Sequence, residues 1–207
     1  MNSCSAMRVL RPETIPPSRP IARRHAPSAG VAYPRFRSCL RWDFGFTCAF
    51  CIIHESLIVR AAGVSGSGLY WVEHLEPQSV APARSDDYTN TVWSCRFCNA
   101  SRLAKPSVGR DGRLLDPTQV AWAVHFRVDD DELVHAADDR DATYTSCAYD
   151  INEPRKRELR RLRRVVIGDR IQNLRDLPPL IADLRRRSSE LSHSAPEDAR
   201  LMLAAAW

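Results

Sequence analysis

No stretch of this 207-residue chain stays apolar for long. The most apolar run, Cys48 to Val59, is interrupted by His54 and Glu55 and is too short to span a bilayer. Residues 1–30 carry prolines and scattered arginines but lack the apolar core of a secretory signal. The seven cysteines do not divide into disulfide pairs, which argues against an extracellular disulfide framework and for a reducing compartment. No lysine follows the turn Gly63-Val64-Ser65-Gly66-Ser67-Gly68, so it is not a phosphate loop. No internal repeat is visible. These absences together predict a cytoplasmic protein without a membrane segment.

What is present begins with charge. The net charge is +5 and the pI about 9.0, which suits a polyanionic partner. Hydrophobic residues make up 44%, enough for a modest core. Residues 1–35 are rich in Pro, Arg and Ser without apolar periodicity and are expected to form a disordered arm. Residues 36–128 are expected to form the core, and 129–207 a hairpin and a helical basic extension. Within the core, the pattern predicts a short helix over Phe36–Phe44, a strand over Leu69–Leu75 and a loop over 77–88. A helix over Cys98–Lys105 should stop at Pro106. His125–Val128 and Glu132–His135 suggest a hairpin across Asp129-Asp130-Asp131. Pro154 sits well in a first helical turn. After it Leu159, Leu162 and Val166 share one face, and Arg157, Arg160, Arg161 and Arg164 another. A bend is expected near Gly168, an end at Pro178-Pro179, and a second helix from Leu180. The predicted fold class is α+β.

Two C-x2-C pairs carry the chemistry: Cys48-Ala49-Phe50-Cys51 and Cys95-Arg96-Phe97-Cys98. Each pair lets two sulfurs converge from one tight turn, and four thiolates suit one closed, tetrahedral structural zinc site. The alternative is four cysteines packed in an ordinary core. Between the pairs lie 43 residues, longer than a common zinc ribbon, so the insertion must carry structure of its own. Cys4, Cys39 and Cys147 are left as free thiols. His54 lies near the first pair but is not needed as a ligand.

The insertion holds Glu73-His74-x2-Pro77 and Asn90, and Asn99 directly follows the second pair. With the cysteines, these residues resemble the HNH, or ββα-metal, nuclease family over about Trp42 to Lys105. Leu114-Leu115-Asp116-Pro117 and His125-Phe126 are more loosely similar to an HNH subgroup with a C-terminal extension. The resemblance implies a zinc-stabilised endonuclease that hydrolyses DNA phosphodiester bonds. His74 would be the general base and Asn90 the residue that pins its loop. Glu73 and Asn99 would bind a catalytic Mg²⁺ or Mn²⁺. Many members have aspartate where Glu73 stands, and lysine is common where Arg102 stands. Glu73 and His74 are neighbours, and strand neighbours point to opposite faces.

Each of these residues also has a plainer reading. Glu73 can be a solvated carboxylate, His74 a strand histidine, Asn90 a turn residue and Asn99 a helix cap. Arg96, Arg102, Lys105 and the helical Arg157, Arg160, Arg161 and Arg164 are candidates for backbone phosphate contacts. A solvated charged face is the alternative for the helix. Trp71 and Trp93 are expected in the core. A noncatalytic zinc-dependent nucleic-acid-binding module and an RNA-directed nuclease remain alternative functions.

Overall fold

The computed structural model describes residues 17–62 and 69–194. Cys4 and the turn expected over Gly63–Gly68 lie outside the described residues. The chain divides into two compact units, one ending at Arg164 and the other beginning at Val165.

In the first unit, helix α1 (Arg37–Asp43) leads into the first cysteine turn, and α2 (Glu55–Ala62) follows it. Strand β1 (Tyr70–His74) pairs antiparallel with β2 (Thr91–Cys95), with Tyr70 opposite Cys95 and His74 opposite Thr91. The aromatic and β-branched residues of β1 suit a pleated surface, and their burial alternates loosely along it. All five residues of β2 are buried. Helix α3 (Arg96–Arg102) starts immediately after β2. The result is a mixed α and β unit built on small antiparallel strand pairs.

Two further pairs complete that unit: β3 (Val108–Gly109) with β4 (Gly112–Arg113), and β5 (Phe126–Val128) with β6 (Val134–Ala136). The second is the hairpin expected across the acidic turn. A one-turn helix α4 (Trp122–His125) precedes it. Helix α5 (Arg140–Ala148) follows, with Asp139 accepting the Ala142 N–H at its start. The core gathers Phe36, Leu40, Phe50, Ile53, Tyr70, Val92, Trp93, Tyr149 and Ile151. Trp71 departs from expectation: at 40% exposure it stands on the outer face of β1.

Four sequence expectations change. Helix α3 begins two residues before Cys98 and ends at Arg102, because Leu103 takes a left-handed φ of 51°. Residues 17–35 do not hang free from Pro17 onward; backbone hydrogen bonds tie them to residues 117–123, and side-chain bonds to 43 and 86–91. Helix α6 (Pro154–Ser194) is continuous through Gly168 and through Pro178 and Pro179. Proline's fixed φ is compatible with a helix, but the pair removes two hydrogen-bond donors and each ring crowds the carbonyl four residues back, so this continuity is a weak point of the helix. Finally, the face by which α6 is buried in the first unit is mostly basic: Lys156, Arg160 and Arg163, with Leu159 as its apolar member.

Candidate metal and catalytic centre

The four thiols of Cys48, Cys51, Cys95 and Cys98 are buried, and their sulfurs all lie within 4.8 Å of one another. Cys51 Sγ is 3.6 Å from Cys95 Sγ. Four sulfurs at about 2.3 Å from a tetrahedral zinc stand about 3.8 Å apart. The donor set therefore fits a zinc ion.

Local structure explains the convergence. The first pair sits in a turn where the Ile52 N–H meets Cys48 O at 3.2 Å and the Cys48 N–H meets Ile53 O at 2.9 Å. The Ala49 N–H donates to Trp93 O at 2.9 Å, which pins that turn to β2. The second pair straddles the β2–α3 junction, where Cys95 Sγ accepts the Cys98 N–H and so caps the helix. Cys95 N–H points at Cys48 Sγ at 3.4 Å, linking the two turns. Burial opposes ionising Cys48, Cys95 and Cys98. At Cys48 the S–H groups of Cys51, Cys95 and Cys98 outweigh it and hold its pKa well below the usual thiol value. Burial, together with the S–H neighbours on balance, pushes Cys95 and Cys98 up. Such a cluster ionises fully only when a cation shares the charge. His54 takes no part; its Nδ1 lies 2.8 Å from Ser56 Oγ.

The remaining motif residues surround the end of β1. His74 Nε2 donates to Ser85 O at 2.9 Å. A carbonyl can only accept, so Nε2 carries a proton, and in the neutral form of the ring the lone pair lies on Nδ1. Asn90 is fully buried and clamps the loop that presents Ser85. Its Oδ1 accepts the Glu76 N–H at 2.8 Å, and its Nδ2 donates to Glu76 O at 3.1 Å and Arg84 O at 3.2 Å.

Glu73 is 7% exposed and opposes Val92 across the strand pair. Burial pushes its pKa up to about 8; Arg102 pulls it down and Cys48 pushes it up, each by less. Among the described residues no hydrogen bond engages its carboxyl or the side-chain amide of Asn99. Asn99 is the fourth residue of α3, and Cys95 is the cap, so the capping role falls away. Glu73 and Asn99 are thus the two polar side chains of the motif with uncommitted oxygens. Among the described residues the cluster that could hold a metal is the four cysteines, and it does not include Glu73.

The expected phosphate contacts fare differently from the motif. Arg102 is fully buried, donating from Nη2 to Leu75 O at 3.0 Å with its Cζ 5.9 Å from the Tyr149 ring centre. It serves the interior and offers nothing to a phosphate. Arg160 is 2% exposed and spends its guanidinium on Glu132 O and Ile151 O. Lys105 Nζ is bonded to Ser101 O and Ala148 O. Arg157 donates to Asp131 O, Arg161 pairs with Glu158 at 3.0 Å, and Arg164 pairs with Glu132 at 2.7 Å. Arg96 and Lys105 are both exposed without an ion pair among the described residues, and Arg96 alone of this set also makes no side-chain hydrogen bond there, with its Cζ 5.6 Å from the Phe97 ring centre.

Two residues of the centre left no signal in the sequence. Ser85 acts through its backbone carbonyl, which any residue supplies. Tyr33 sits far upstream in a segment without periodicity, yet its ring centre lies 4.8 Å from that of His74, edge to face. No protein-family model matches the chain, and no curated protein matches it. Among the described residues, no helix is long and apolar enough to cross a membrane.

Proposed function

We propose that the chain is an HNH-type endonuclease that hydrolyses DNA phosphodiester bonds. The observation that carries this reading is the Ser85–His74 hydrogen bond, which leaves a lone pair on Nδ1 of a histidine fixed by a clamped loop. In this reading Nδ1 accepts a proton from the attacking water, the new P–O bond forms, and the bond to the 3′ oxygen breaks. That oxygen leaves with a proton from solvent. Asn90 keeps the Ser85 carbonyl in place and is a positioning residue. Cys48, Cys51, Cys95 and Cys98 would hold a structural zinc. Glu73 and Asn99 would hold Mg²⁺ or Mn²⁺, which when bound supplies positive charge beside the phosphate oxygens.

One observation favours a second reading, a noncatalytic zinc-dependent nucleic-acid-binding module. Glu73 and His74 are consecutive within β1, and a strand turns consecutive side chains to opposite faces. Incubation with supercoiled plasmid, with and without Mg²⁺ or Mn²⁺, separates the two. Metal-dependent nicking or linearisation that His74→Ala abolishes supports the enzyme. Retention of plasmid without cleavage under every metal condition overturns it. A parallel arm with structured RNA tests whether RNA is cut in preference.

A further inference from the structure

We infer that the segment Pro17–Phe36 is the docking element for the substrate backbone, gripping phosphates through Arg19, Arg24 and Arg35 and delivering them to His74. This rests on the nuclease reading and names the surface that reading needs.

The first observation is that the segment is built into the protein. The Ala123 N–H donates to Pro17 O at 3.0 Å, and the Ile21 N–H to Pro117 O at 2.8 Å. Arg23 anchors the middle, with Nη2 on Thr91 O at 2.7 Å and Thr89 O at 3.1 Å. Thr91 is the residue paired with His74 across the strands. The Tyr33 N–H donates to Asp86 Oδ1 at 2.8 Å. Asp86 adjoins Ser85, whose carbonyl holds His74, and the Tyr33 ring meets the His74 ring itself. The strap therefore ends at the candidate base.

The second observation is which cations are available. Arg19, Arg24 and Arg35 are exposed, and their side chains make no hydrogen bond or ion pair among the described residues. The two carboxylates bonded to the strap are already committed. Asp43 has an enclosed side chain bonded to the Arg24 N–H, to His25 at 2.6 Å and to the Tyr88 hydroxyl at 2.7 Å. Asp86 accepts the Tyr33 N–H. Neither has to be displaced for a phosphate to approach the three guanidinium groups.

The contrast with Arg157, Arg160, Arg161 and Arg164 of α6 supports the assignment. There Arg160 is buried, and Arg157, Arg161 and Arg164 are engaged by Asp131, Glu158, Glu132 and Asp130. A phosphate binding on that face would have to break these contacts and approach the carboxylates. An extended nucleic-acid backbone instead matches separated, unpaired cations along a strap, because each neutralised phosphate releases bound counterions.

The test uses full-length protein in a His74→Ala background, so that DNA is held and not cut. Binding of a labelled duplex is measured across a salt series. R19Q/R24Q/R35Q should weaken binding about tenfold or more at moderate salt. It should also shallow the log–log salt slope by about three, roughly one per lost contact. R157Q/R161Q/R164Q should change the slope by less than about one. Zinc content and melting temperature check that each variant is folded. Should the triple strap variant fail to fold, R35Q alone should still lower the slope by about one. An unchanged slope in folded strap variants, or a loss that appears only in the α6 variant, overturns the docking assignment and leaves the nuclease reading intact. A parent that neither cuts nor binds DNA overturns both.

Discussion

Glu73 sits at 7% exposure and holds its proton up to about pH 8. Its folded pKa lies above the usual carboxyl value of 4.5, so its contribution to stability is complete below pH 4.5 and is lost as the pH rises toward 8. Glu73→Gln cannot ionise and escapes that loss. In urea titrations without Mg²⁺, the variant should gain on its parent between pH 5 and pH 8 by roughly 1–3 kcal/mol. A gap that stays constant across that window would show that the carboxyl is not enclosed. Adding Mg²⁺ should stabilise the parent and leave the variant unmoved, and the variant should lose metal-dependent cleavage. His74 is a separate case, because in the nuclease reading it would carry chemistry and little structure. His74→Ala should lower cleavage by roughly a hundredfold or more, with zinc content and melting temperature nearly unchanged. Cleavage at the parent's rate would move the base elsewhere.

At the scale of elements, α6 departs furthest from its sequence pattern. Arginine spacing alone reads as a solvated or DNA-facing stripe, yet Lys156, Arg160 and Arg163 point inward and satisfy backbone carbonyls at Tyr149, Ile151 and Ile52. Nothing in a sequence marks which carbonyls will lack a donor, so this arrangement is not legible there. The hairpin β5–β6 is legible, because an acidic turn between two triplets that alternate apolar and polar residues is a local signal. Strand β1 is legible for the same reason. The stop of α3 is hidden, since Pro106 is conspicuous and the left-handed φ at Leu103 is not. Arg160→Gln should cost roughly 2–4 kcal/mol, because the carbonyls of Glu132 and Ile151 lose their donors inside the protein. Arg161→Gln, on the exposed side, should stay within about 0.5 kcal/mol. Denaturant midpoints of the two variants check the contrast, and equal midpoints would contradict the inward geometry.

At the scale of the whole molecule, the four cysteines tie the turn between α1 and α2 to β2 and α3. Metal spacing is written locally in each C-x2-C pair, so this centre is readable from the amino-acid sequence alone. The strap is not, because it meets the core through backbone bonds and single side chains with no period. Cys95→Ser should lose both zinc and cooperative folding, since Cys95 is at once a candidate ligand, the cap of α3 and the end of β2. One tightly held zinc per parent chain, with an all-sulfur shell at about 2.3 Å, is the accompanying expectation. Well-folded protein that contains no zinc would remove the structural role assigned to the cluster.

Pro178 and Pro179 lie inside α6 and bring no N–H groups to the carbonyls of Leu174 and Arg175. Two successive rungs of the helix ladder are therefore missing, in a stretch where Leu174, Leu177, Leu180 and Ile181 are all at least 42% exposed. Little tertiary packing is on hand to replace those rungs. Opening should start there and spread both ways, so amide exchange along α6 should resolve into two blocks of protection on either side of the prolines. Limited proteolysis should find its first cut in the same place, releasing the far end of the helix while the portion that carries the four cysteines stays whole.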